Sequence, residues 1–303
     1  MSSVNPSSTH SSRLFSCRDM PEPKAVEVAG GTAVVFSTRC PGKVTGNEDG
    51  AAVFEFQDGS AVLAVADGLG GVAGGEQASS ATLEALRRTF RATDPKRMNL
   101  RSAIIDGFEQ ANQAVLNLGL RTATTLAVLE LNHGYARPYH AGDSMILAAG
   151  GRGKIKMETM SHSPVGYAVA AGVLDAEEAM HHEDRHLVSN VVGMNDMRID
   201  VGLGLKLAPL DTMLLASDGL VDNLHLAEIV QLIRKGKLKK VAALLVSEVE
   251  KRMVGDSIHE PSKPDDLTFI VWRRNAGHSA NGKTTLNAKN SARISHTLRR
   301  ERW

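Results

Sequence analysis

The chain has 303 residues, 42% hydrophobic but only 4% aromatic, so a sizeable core has to be packed mainly from aliphatic side chains. Its formal charge of +1 offers no field that would gather nucleic acid or an anionic membrane surface. Cys17 and Cys40 are too few for a disulfide framework or a cysteine-bound metal, and no segment reads as a secretory leader or a transmembrane helix; a cytoplasmic protein is expected.

Residues 1–24 are rich in Ser and Pro and read as a disordered lead-in to a patterned body spanning 25–274. In that body "AAVFEFQDGSAVLAVADG" predicts two strands around an Asp58-Gly59 turn. "GEQASSATLEALRRTF" and "SAIIDGFEQANQAVLNL" carry helical spacing; in the second, Ile104, Ile105, Phe108, Ala111, Val115 and Leu118 share a face. "TTLAVLEL", an Asn-His-Gly turn, "YARPYHAGDSMILAAGG" and "KIKMET" read as a strand meander broken by glycines. "DTMLLASDG" is another apolar strand, followed by helices in "LHLAEIVQLIRK" and "KLKKVAALLVSEVEKRM" and a last strand, "LTFIVW". Hairpins outnumber strand-helix-strand crossovers, which predicts an α+β fold of antiparallel sheets covered by helices. Residues 275–303 form a polar tail with six Lys and Arg against Glu301, expected to be flexible.

Carboxylates recur at strand ends. Asp49 precedes a strand in "GNEDGAAVF", Asp67 and Asp218 end strands in "AVADG" and "LLASDG", Asp265 and Asp266 precede the last strand, and Asp143 interrupts a strand-like run in "HAGDSMIL". Any one of them fits an ordinary Asp-Gly turn. Together they offer hard oxygen ligands on a rigid scaffold, a donor set that suits Mg2+ or Mn2+ better than zinc. After Asp67 the chain sheds its side chains at Gly68, Gly70, Gly71, Gly74 and Gly75, as expected where something must approach the backbone closely.

In order, "GNEDGA", "AVADGLGG", "TATTLAV", "HAGDSMIL", "LLASDGL" and "KPDDLTFIV" resemble the successive motifs of the metal-dependent protein phosphatases, the bacterial-type members of the type 2C serine/threonine family, from about Thr38 to Trp272. The resemblance implies a four-layer α-β-β-α sandwich, two antiparallel sheets flanked by helices, with two Mn2+ or Mg2+ ions in a cleft at one end. Asp67 matches the residue bridging both ions and Gly68 the one lending a backbone carbonyl. Asp49 matches a ligand of one ion, with Glu48 beside it; Asp218 and Asp265 match ligands of the other, and Asp143 a residue that can hold a third, weaker ion. The implied reaction is hydrolysis of phosphoserine and phosphothreonine in proteins by direct attack of a metal-bridged water, with no phosphoenzyme. Phosphorylated proteins are the implied partners, with a cognate serine/threonine kinase in the same circuit; nucleic acid and membrane are not.

The sequence departs from that pattern in places that matter to substrate grip. Val44 stands where the family usually carries a phosphate-gripping Arg, which leaves Lys43 as the candidate and Arg39 as the alternative. Met145 replaces the Arg that commonly follows Gly-Asp-Ser, Asp266 replaces Asn, and Leu69 stands where some members have His. A catalytically weak phosphatase fold used as a binding module is therefore an alternative. Two further motifs point elsewhere: "GHSANGKT" satisfies a phosphate-loop pattern, and "HEDRH", His182 to His186, fits the zinc-protease pattern if it lies on one α-helix. The resemblance places the latter in the flap beside the active site.

Overall fold

The structure, a computed structural model, describes residues 10–70, 74–93, 99–255 and 260–276. In chain order its elements are β1 (His10–Ser16), β2 (Lys24–Val28), β3 (Gly31–Thr38), β4 (Gly50–Phe56), β5 (Ala61–Ala66), β6 (Gly68–Leu69), α1 (Gly74–Ala92), α2 (Leu100–Leu116), β7 (Ala123–Thr124), β8 (Leu126–Asn132), β9 (Tyr135–Ala141), β10 (Met145–Ala149) and β11 (Ile155–Glu158). There follow α3 (Pro164–Ala170), α4 (Ala176–Met180), a 3-10 turn (Glu183–His186), β12 (Asp200–Val201), β13 (Leu205–Lys206), β14 (Thr212–Ala216), α5 (Asp218–Val221), α6 (Leu226–Ile233), α7 (Leu238–Val254) and β15 (Leu267–Arg274). One sheet runs β1-β4-β5-β8-β9-β12 with β13 also on β9, the other runs β11-β10-β14-β15-β3-β2, and β6 with β7 makes a short ribbon.

The expected sandwich is present, and β5 shows how it is built. All six of its residues are buried because both faces are covered. Ala61, Leu63 and Val65 join the core between the sheets, whereas Val62, Ala64 and Ala66 face the layer of α1 and α2 with Leu83, Leu86, Phe90, Ile104 and Phe108. Each fully buried aliphatic or aromatic side chain contributes about 2 kcal/mol, so this doubly covered strand is a rigid base for whatever follows it. On the opposite side Ile229, Ile233, Val241, Leu245 and Val249 of α6 and α7 cover the second sheet.

Turns expected from local chemistry form as read. The β4–β5 hairpin closes at Asp58-Gly59, with Gly59 at φ +79°. The β8–β9 hairpin places His133 and Gly134 at φ 45° and 86°, the two left-handed positions of a tight primed turn.

Three expectations are corrected. The segment expected to be a disordered lead-in contains a strand: β1 pairs with β4 in unbroken antiparallel register from His10↔Phe56 to Ser16↔Gly50 and Phe15 enters the core, while residues 1–9 lie outside the described residues. Composition misreads this segment since an edge strand tolerates Ser and Arg on its outer face. The meander is also not one sheet: β9 and β10 lie in different sheets, and Gly142-Asp143-Ser144 is the crossing between them. Finally, "HEDRH" is not α-helical. α4 ends at Met180, His182 caps the short 3-10 turn through Asp184 N (3.1 Å), and His186 Nδ1 lies 2.8 Å from Glu183 O. A 3-10 turn does not stack residues four apart on one face. The phosphate-loop pattern and the tail beyond Ala276 lie outside the described residues, whereas Asn275 is tied to Gly30 and Glu27.

Candidate metal centre

Five chain segments bring their carboxylates to one end of the sandwich. Asp67 sits directly after β5, and its backbone is clamped: its N–H donates to Thr125 Oγ1 (3.1 Å), while its carbonyl accepts from Thr125 N and Thr124 Oγ1 (both 2.8 Å). Thr125 Oγ1 in turn meets Ser144 Oγ at 2.7 Å, which ties the sheet-crossing segment of Asp143 to the same point. Asp49 closes an Asn47-Glu48-Asp49 turn in which Asp49 N donates to Asn47 Oδ1 (2.9 Å). Asn47 Nδ2 reaches Arg18 O and Ser37 Oγ, and Ser37 reaches Thr268 at 2.7 Å. That chain of buried polar groups fixes the turn to β3 and β15.

Asp218 and Asp265 come together through the β14–β15 pairing. Ser217 N donates to Thr268 O (2.9 Å) and Thr268 N to Ser217 Oγ (3.1 Å), so both aspartates project from one sheet end. A Cβ at Gly219 would lie 1.9 Å from Asp266 O, which explains the glycine of "SDG". The glycines after Asp67 have a similar reason. A Cβ at Gly68 would lie 2.3 Å from Gly75 O and 2.6 Å from Glu48 O, so three backbone segments converge there.

The carboxylates feel one another. Burial raises Asp67 well above the usual range, and Asp49, Asp218, Asp143 and Asp265 add to the rise. Asp49 is raised in the same way, by burial and then Asp266, against the opposing pull of the Ser217 hydroxyl, with Asp265 and Asp218 contributing. Asp143 is pushed to about 7, chiefly by burial and then by Asp218 and Asp222. Asp265 is pushed to about 6 by burial and Asp218. Such a cluster is costly without positive charge to answer it. One atom shows the deficit directly: Asp49 Oδ2 is buried without a hydrogen-bond partner. An all-oxygen donor set with an orphaned buried carboxylate oxygen fits a hard divalent cation.

The predicted phosphate grip is arranged differently. Val44 is 96% exposed and makes no substitute for Arg. Lys43 Nζ lies 2.6 Å from Asp266 Oδ2 and 2.8 Å from Glu48 Oε2, and these pairs hold its ammonium in the charged form. Asp266 also accepts from Cys40 N (2.8 Å) and Glu48 N (2.7 Å), so the carboxylate found in place of Asn pins two loops and is answered by Lys43. Arg39 turns away to Asp19, 3.2 Å from its Nε.

Three participants carry no sequence signal of their own. Asp222 enters the cluster directly after α5 and Lys263 from the connection between α7 and β15, and Arg185, inside "HEDRH", donates Nη2 to Ser262 O (3.1 Å). Arg185, Asp143, Asp218 and Asp222 line a cavity of about 460 Å3 whose wall includes Met145, Val165 and Met180. A second grouping, His140, His162 and Asp200, looks suited to a metal, but His162 Nδ1 receives both Gly142 N (3.2 Å) and Asn190 Nδ2 (2.8 Å). Asn190 is fixed in that orientation by Arg198 N and O, so the proton of neutral His162 must sit on Nε2, facing Asp200 at 3.6 Å. That nitrogen is a donor, not a ligand. Among the described residues no metal-compatible group includes His182 or His186, and no helix is long and apolar enough to cross a membrane.

Comparison with known proteins bears on family and fold. The family model "Protein phosphatase 2C" matches residues 42–252. Protein phosphatase PhpP of Streptococcus pneumoniae is 30% identical over 198 residues, covering 63% of this chain and 80% of its own. The serine/threonine phosphatase structure from S. agalactiae superposes with a TM-score of 0.70 at 23% identity, over 80% of this chain and 99% of that one. The catalytic domain of the phosphatase PstP, solved in complex with 2 manganese ions, does so with a TM-score of 0.63 at 22% identity, over 80% and 96%. These two structural likenesses speak to the fold; the family match, spanning all but the last of the aspartate motifs, speaks to kinship. The chain belongs to the protein phosphatase 2C family, and by that membership it is a protein phosphatase.

Proposed function

We propose that the chain hydrolyses phosphoserine and phosphothreonine in proteins with the aid of two divalent ions, Mn2+ or Mg2+. Asp67 would serve both ions and Gly68 would lend its backbone carbonyl, Asp49 with Glu48 would hold the first, and Asp218 with Asp265 the second; Asp143 would take a third, weaker one. The observation that carries the reading is the buried, unpartnered Asp49 Oδ2 among carboxylates that raise one another's pKa. When bound, such ions lower the pKa of water and neutralise phosphoryl charge.

What the protein supplies is preorganisation. Thr124, Thr125 and Asn47 fix the backbone of the ligand segments before any ion arrives, so little reorganisation is left for the moment of reaction. Lys43 can reach a phosphate only by leaving Asp266 and Glu48, so its first task is to hold the Glu48 turn against the last strand. The cavity beside Asp143 and Asp218 gives the phosphorylated side chain and its neighbours a place to lie, and a serine/threonine kinase is the class of enzyme that would supply such substrates.

The test is hydrolysis of p-nitrophenyl phosphate and a phosphothreonine peptide with and without added Mn2+, in wild type and Asp67→Asn. Activity should require the ion, and the variant should lose roughly a hundredfold or more. Wild-type rates in Asp67→Asn would show that the bridging role is misassigned. The exposed Val44 favours the second reading, a binding module; tight Mn2+ binding with no turnover in wild type would be its signature.

A further inference from the structure

Lys263 points into the carboxylate cluster and not out to water. Its backbone is gripped by one amide: fully buried Asn223 accepts from Lys263 N at Oδ1 (2.9 Å) and donates from Nδ2 to Lys263 O (2.8 Å). Asn223 Nδ2 also reaches Gly219 O (2.9 Å), so the Lys263 loop and the turn bearing Asp218 are fastened to the same side chain. From that fixed stem the ammonium pairs with Asp218 Oδ2 and lies 3.0 Å from Asp222 Oδ2 and 3.3 Å from Asp265 Oδ2. An unrestrained lysine keeps its head in water; this one is 19% exposed and has three carboxylates around it.

Asp218 and Asp265 are the two side chains assigned above to the second ion. We propose that Lys263 is a built-in occupant of the second-ion position, and that a divalent ion loads there by exchanging with its ammonium. The inference rests on the two-ion reading of the site. The ammonium brings one charge to three carboxylates and hydrogen-bonds Asp218, less than a divalent cation can offer the same oxygens. Exchange does not strand the lysine, because Asp222, which has no assigned ion, stays within reach at 3.0 Å. The device keeps the ion-free cluster from repelling itself apart and makes metal binding weaker than the carboxylates alone would give. The first position is answered differently: there Lys43 reaches Glu48 and Asp266 but leaves Asp49 Oδ2 without a partner.

The experiment is equilibrium Mn2+ binding to the metal-free full chain, read by the electron paramagnetic resonance signal of free Mn2+. Lys263→Met should bind the second of its two main ions about tenfold more tightly than wild type, whereas Lys263→Arg, which keeps the charge, should stay within about threefold. Equal or weaker binding by Lys263→Met overturns the proposal. Wild type gives an independent readout if the methionine variant folds poorly without metal. Acylation of lysines, followed by mass spectrometry, should label Lys263 several-fold faster once Mn2+ is bound, and an unchanged rate overturns the proposal. Failure of wild type and Lys263→Met alike to bind Mn2+ would remove the two-ion reading itself, whereas equal binding by both would remove only the exchange.

Discussion

Asp266 stands where the family resemblance leads one to expect asparagine, and its surroundings account for the change. Both oxygens are used, Oδ1 by Cys40 N and Oδ2 by Glu48 N and Lys43. An asparagine would aim its NH2 at one of these donors and lose that bond, while Lys43 would lose a charged partner. Asp266→Asn should therefore cost about 1–3 kcal/mol in urea unfolding. Lys43→Met should cost less in that background than alone, with a coupling of about 1 kcal/mol; strictly additive costs would show that the pair does not act as a unit. At Gly68 the expectation is harsher. A methyl group there meets Gly75 O at 2.3 Å, so Gly68→Ala should abolish Mn2+ binding measured by calorimetry, whereas Gly42→Ala, strained at φ +78° but with open space around it, should cost some stability and leave binding intact. The strand-end aspartates were legible in the sequence because each carries its own local grammar. Lys263 was not, since its direction is set by Asn223 forty residues away.

Among the elements, β1 was the least legible and shows why. Its Ser-rich composition is that of a linker, and only the open edge of β4 makes it a strand. Such pairing is non-local and leaves no periodic trace in so short a segment. The hairpins at Asp58-Gly59 and His133-Gly134 were readable because the turn residues alone demand left-handed backbone. β1 also matters to the site: Cys17 N, just past its end, donates to Asp49 O at 2.9 Å. Phe15→Ala should cost about 3 kcal/mol of stability in urea unfolding and lower Mn2+ affinity as the Asp49 turn loosens. A variant as stable as wild type would mean that β1 is a dispensable edge.

For the whole molecule the carboxylate cluster predicts an unusual pH dependence. Asp143 at about 7 and Asp265 at about 6, with Asp49 and Asp67 also raised, mean that the folded metal-free protein holds protons that the unfolded chain has released by about pH 4–5. Stability in EDTA should therefore fall as pH rises from about 6.5 to 8, where most proteins are flat. Lys43 and Lys263, both raised, keep their contributions throughout that window, and the buried His140 and His162, whose lowered values act in the opposite direction, do so only below about pH 6.5. With Mn2+ present the fall should flatten or reverse, because the ion takes the place of the protons. Metal-free melting temperatures that climb from about pH 6.5 to 8 would contradict this account of the cluster.

The claim beneath all of this is that Asp49, Asp67, Asp218 and Asp265 form a single cation-binding centre. Crystals grown or soaked in Mn2+, with an anomalous difference map recorded near the manganese edge, test it most directly. The account predicts two strong peaks among those four side chains, with Lys263 Nζ moved away from Asp218 and Asp265. Peaks elsewhere, or none at a Mn2+ concentration that supports activity, would contradict it.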